Sequence, residues 1–186
     1  YVPGLTPHPY SHPKGHSYGQ RPPIPAPPDS DCWWECKEFL YGIDLFNGPA
    51  PLNESSGRLP PGLRGLFVGY YWEAHEAWEG LWHACGRAGP TADFLRGLIK
   101  LAAAGVKVRE GVPAGVASHA RRAAALFRDA ADRLGEDGRV FGLRVGDLLA
   151  HTAAVESAAA AAKGADAPGV GVVFDFVLIP RATDGT

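Results

Sequence analysis

The chain has 186 residues, 46% hydrophobic and 20% charged, with a formal net charge of -2. That length suits one ordinary domain with a real core, and the charge gives no broad basic surface for nucleic acid or anionic membranes. No run approaches the ~18 apolar residues of a membrane span, and the start lacks the apolar middle of a secretory signal, so a cytoplasmic protein is expected.

Residues 1–30 are rich in proline, histidine and glycine and are expected to form an extended tail. His8, His12 and His16 recur every four residues, but Pro7, Pro9 and Pro13 prevent the helix that would gather them. The sequence contains no methionine, which points to a native start upstream of Tyr1. Cys32, Cys36 and Cys85 are too few for a cysteine zinc site and read as reduced, half-buried thiols.

A bundle domain is expected over 31–165. Its first helix, "DCWWECKEFLYGIDLFN", runs from Asp31 to Asn47 with Trp33, Cys36, Phe39 or Leu40, Ile43 and Phe46 at helical spacing. "GPAPLNESSGRLPPGLRG", Gly48 to Gly65, then reads as an unusually long loop. A second helix is predicted from Leu66 to Cys85, and a third after Thr91 as its N-cap, ended by Gly111. Phe94, Leu98, Leu101, Gly105 and Val108 form the third helix's apolar stripe, with Gly97 and Gly105 as flat places for a close neighbour.

Pro113 suits the first turn of a fourth helix, whose inward set would be Val116, His119 or Ala120, Ala123, Phe127, Ala130 and Leu134. A fifth helix follows in "GDLLAHTAAVESAAAAAK", capped by Asp147. The closing 166–186 segment contains the alternating "GVVFDFVLIP" and is expected to lie extended on the bundle. The class is therefore all-α, an antiparallel bundle of about five helices.

The second helix carries the chemistry. "YYWEAHEAWEGLWHACG" holds three glutamates, two histidines and three tryptophans. At about 100° per residue, Phe67, Tyr70, Tyr71, Ala74, Ala77, Trp78, Leu81 and Cys85 share an apolar face. His75, Glu79, Trp72, His83 and Glu76 share a second, polar face; Trp82 stands between the two and Glu73 points to solvent.

The ladder His75, Glu79, His83 has the spacing to share one divalent metal, the cofactor this set would take, with His119, His151 or the tail histidines as further ligands. "HEAWE" fails the zinc-protease pattern because Glu79 stands where its second histidine would be, and ferritin-like Glu-x-x-His pairs are absent. A metal-free small-molecule or catalytic site is the second reading. The reading these residue pairs favour over both is a structural network, with Glu79 paired to Arg96, Lys100 or Lys107 of the third helix.

"YYWEAHEAWEGLW" followed by "FLRGLIKLAAAGVKVREG" resembles the domain of unknown function 309 family, over roughly Asp44 to Leu134. The resemblance implies a small α-helical protein with no assigned reaction. It implies characteristic positions at Glu73, His75, Glu76, Glu79, Trp82, Phe94, Leu95, Gly97 and Leu98. Arg96 and Lys100 stand where members more often have glutamine, which makes this seam more basic. The Pro/Gly-rich stretch between "LFN" and "GYYWEAHE" looks like an insertion.

Two functional expectations follow. In the first, the seam binds a metal or a small anionic ligand with acid–base or hydrolytic chemistry. His75 is then the acid–base group or ligand, Glu76 and Glu79 orient it, Arg96 or Lys100 holds the anion, and Trp72 and Trp82 border the site. In the second, the chain is a non-catalytic assembly module, a homo-oligomer joined through Trp33, Trp34, Tyr70 and Trp72, and the seam is a salt-bridge network. Neither expects nucleic acid or membrane as partner.

Overall fold

A computed structural model describes residues 13–14, 26–28, 32–48, 70–135, 137–161, 174 and 176–181. Most of the expected tail, most of the Gly48–Gly65 loop, Leu66 to Gly69 and the tail histidines lie outside these residues. Among those described, five α-helices and one hairpin follow in chain order: α1 (Lys37–Asn47), α2 (Tyr71–Ala84), α3 (Pro90–Arg109), α4 (Pro113–Leu134), β1 (Arg139–Val140), β2 (Leu143–Arg144) and α5 (Val145–Ala161). Each helix packs on the next, so the all-α bundle is the architecture found.

The first helix starts later than its periodicity predicts. Trp33–Glu35 is a single 3-10 turn, and Cys36 is extended (φ -83°, ψ 92°) before α1 begins. The break seats Trp33 in the core over Gly142, where an added Cβ would lie 2.5 Å from the indole, and leaves Trp34 half exposed. Tertiary packing outranks local helical spacing here.

α3 also begins differently. Pro90 takes the first helical position and Gly89 (φ 92°) caps it, so Thr91 lies inside the helix. A proline there loses no helical hydrogen bond, and glycine accepts the positive φ. α4 starts at Pro113 as predicted and buries Val116, Ala120, Ala123, Ala124, Phe127 and Ala130. His119 is only half-buried and Leu134 is exposed, because α4's last turn outruns its neighbours.

Between α4 and α5 the sequence reading missed the hairpin. Val140 pairs with Leu143 across a two-residue turn in which Phe141 (φ 51°) and Gly142 (φ 70°) are both left-handed, as a type I′ turn requires. Phe141 accepts that strained backbone because its ring is fully buried, stacked on Phe39 at 4.6 Å. The hairpin delivers the chain directly into α5 at Val145, so Asp147 sits in the first turn rather than at the cap.

The described part of the C-terminal segment lies across the bundle. Asn47, the last residue of α1, clasps it at two points: Nδ2 donates to the Leu178 carbonyl and Oδ1 accepts the Leu178 N–H, both at 2.8 Å. Phe174 and Leu178 are buried there, and Phe174 stands edge-on to Tyr71. Burial in this layer pushes the Tyr71 hydroxyl up to about 12, partly offset by Arg109, whose guanidinium lies over the ring.

Candidate functional site

α2 presents its apolar face inward as expected, with Tyr71, Ala74, Trp78 and Leu81 buried. α2 packs on α3, and α3 on α4. His75 is half-buried, with the Trp72 indole lying flat on its ring, centroids 5.3 Å and planes 8° apart. Its Nδ1 is shielded from solvent and makes no hydrogen bond. Burial pushes the His75 imidazole below its ordinary value of 6.5; Glu79 on the same helix opposes the shift and Lys100 from α3 adds to it.

His119 of α4 completes the group. It too has a shielded Nδ1 with no hydrogen-bond partner. Burial lowers its imidazole first, then the charges of Lys100, Arg122, Lys107 and His75. Two imidazoles on different helices therefore share the field of Lys100, each with an unmet nitrogen. Among the described residues no ion pair ties Glu79 to Arg96, Lys100 or Lys107, so the closed network expected for a purely structural seam is not formed. Burial pushes the Glu76 carboxyl up; the Trp72 side chain works against this by hydrogen bonding, and Glu79 works with it.

Several expected members do not join. His83 leaves the ladder: its Nδ1 accepts from Arg87 Nε at 2.9 Å, drawn to the exposed end of α2. Among the described residues, no group of three His, Cys, Asp or Glu side chains is placed to hold a metal ion, so His75, Glu79 and His83 do not form a ligand set. Arg96 turns to Asp93 at 3.0 Å and is half-exposed. Trp82 stacks edge-on to His83 with Arg87 over its ring, away from His75.

Glu73 is half-buried rather than solvated. Of the four interface anchors, Trp33 is in the core and Trp72 is held against His75, which leaves Trp34 and Tyr70 exposed. The three cysteines are half-buried, and burial raises the Cys36 and Cys85 thiols. No helix among the described residues is long and apolar enough to cross a membrane.

Residues 62–119 match the family model described as Domain of unknown function (DUF309). The matched segment covers about a third of the chain. That segment is narrower than the resemblance over Asp44 to Leu134; it spans α2, α3 and the start of α4, and its last residue is His119. Every member of the His75, Glu79, Lys100, His119 group lies inside the DUF309 segment, while the hairpin, α5 and the C-terminal segment lie outside it. No curated protein and no solved structure matches the chain.

The desolvated histidines set an expected pH response. Their folded values lie below the ordinary 6.5, so on acidification the unfolded chain takes up protons first. Stability is then full above about pH 6.5 and is lost as pH falls through the folded values. A single group can contribute a slope of at most ~1.4 kcal/mol per pH unit. Glu76, held up by burial, pulls the other way at lower pH. Urea midpoints taken from pH 7.5 to 5 should fall, and His75→Gln should flatten that fall; an unchanged slope would remove His75 from the buried group.

Proposed function

We propose that the seam between α2, α3 and α4 binds a small anionic ligand and that His75 moves a proton there. One observation carries the reading: His75 and His119, from different helices, each keep a shielded and unbonded Nδ1 within the field of Lys100. Leaving a buried polar atom unpaired costs ~1–3 kcal/mol, so two at one place suit a site that a ligand completes. Desolvation keeps His75 neutral at pH 7, the state in which it accepts a proton. Glu79 stabilises the imidazolium that results, and Lys100 holds the ligand's negative group. The Trp72 ring, flat on His75, fixes the imidazole plane.

The test is a screen of small carboxylates and phosphate monoesters against the full chain, read through the side-chain nuclear magnetic resonances of His75 and His119. A true ligand should move both histidine signals together, and Lys100→Gln should weaken that response at least about tenfold, the equivalent of ~1.4 kcal/mol. Independent movement of the two histidines, or a response that Lys100→Gln leaves intact, would sink the proposal.

A further inference from the structure

A cleft of about 260 Å³ opens between the hairpin, the first turns of α5 and the C-terminal segment, and none of the seam residues lines it. Its lining is apolar at Leu143, Leu148 and Leu178, all buried, and at the exposed Val177 and Ile179, with His151 and charged side chains completing it. Arg139, Arg144 and Arg181 all line it, against one carboxylate, Asp147. The chain as a whole is acidic, with a net charge of -2, so this is a local concentration of one sign in a concave place.

The three guanidiniums are not equivalent. Arg144 is neutralised inside the protein, donating to Asp147 at 2.9 Å and to Asp137. Arg139 gives one N–H to the Gly142 carbonyl at 3.0 Å, and the Arg181 backbone N–H donates to that same carbonyl at 2.9 Å. One turn carbonyl thus holds the Arg139 side chain and the Arg181 backbone. Neither arginine has a carboxylate partner among the described residues. Planar guanidiniums without a carboxylate partner bind carboxylate or phosphate in paired hydrogen bonds.

We propose that this cleft binds a small organic anion. Its head group bridges Arg139 and Arg181, and its short apolar body packs on Leu148 and Leu178. The cleft is slightly below the ~300–1,000 Å³ of common ligand pockets, which limits the body to a short chain or single ring. The site is independent of the histidine seam and lies outside the DUF309 segment.

The experiment titrates the full chain with hexanoate and with butyl phosphate, following backbone amide resonances. Either probe should move amides in 139–148 and 176–181 while leaving the His75 and His119 signals in place; neutral hexanol should not. Binding should weaken with added salt. Arg181→Gln should weaken it at least about tenfold, the equivalent of ~1.4 kcal/mol. Arg128→Gln, an exposed arginine of α4, should not. Arg181 is the decisive position, because Arg139→Gln also loses the bond that steadies the turn. No shifts with either probe, shifts elsewhere, or equal affinity in Arg181→Gln would overturn the proposal.

Discussion

Replacing Trp78 by alanine should cost ~3–5 kcal/mol of stability, the range for removing a fully buried large aromatic. Trp78 has no exposed surface and fills the space between α1 and α2. Its ring packs against Phe46 with centroids 5.7 Å apart and lies directly on Gly42, where an added Cβ would come within 2.3 Å of Nε1. Its Nε1–H reaches the Phe39 carbonyl at 3.4 Å, too long to contribute much, so the effect is one of packing. Trp78→Phe should therefore retain more than half of the lost stability. Urea unfolding with an unchanged slope would measure both, and a loss below ~1.5 kcal/mol in Trp78→Ala would show that α1 is not docked through this ring. Against a domain stability of ~5–15 kcal/mol, the alanine variant should be marginal at best.

Adding one methyl group at Gly105 or Gly97 should also destabilise, although helix propensity predicts the opposite. Glycine to alanine inside a helix gains ~1 kcal/mol in propensity. At Gly105, however, the new Cβ would lie 2.6 Å from Cγ of Tyr71, the root of a buried ring that cannot swing away. At Gly97 it would lie 2.5 Å from Cε1 of Phe127, also fully buried. Overpacking a tight core costs ~1–3 kcal/mol or more, which reverses the sign. Gly105→Ala should lose more than Gly97→Ala, since a ring edge shifts more easily than a ring root. Gly115→Ala is the control: its nearest neighbour is the flexible Lys107 stem at 3.0 Å, which can move aside, and stability should hold or rise by up to ~1 kcal/mol. A gain at Gly105 would mean that α2 and α3 can separate at no cost.

Those glycines were legible before any coordinates. Gly97 and Gly105 stood out as flat places on the apolar stripe of the third helix, and the structure puts a ring from α4 on one and a ring from α2 on the other. The start of α4 at Pro113 was legible for the same reason: local stereochemistry decides it. The hairpin was not, because Phe141–Gly142 lacks the Asn-Gly or Asp-Gly signature of a type I′ turn, and its positive φ at phenylalanine is sustained by burial against Phe39 and Phe94. The late start of α1 has the same origin, since Trp33 breaks the helical spacing to reach Gly142.

The candidate site divides along the same line. Helical periodicity alone placed His75, Glu76 and Glu79 on one face of α2, because an angular position within a helix needs no partner. It could not choose among the cations of α3 or among the distant histidines. Lys100 and His119 were chosen by how α3 seats on α2 and α4 on α3, and that register is set by rings lying on glycines: Tyr71 on Gly105 and Phe127 on Gly97. His83 left the ladder because Arg87, on the turn beyond α2, offers a nearer donor. The arginines of the cleft lie far apart in the chain, Arg139 and Arg144 in the hairpin and Arg181 near the end, with no shared period to connect them. Only the fold, through one carbonyl at Gly142, brings Arg139 and Arg181 to the same turn.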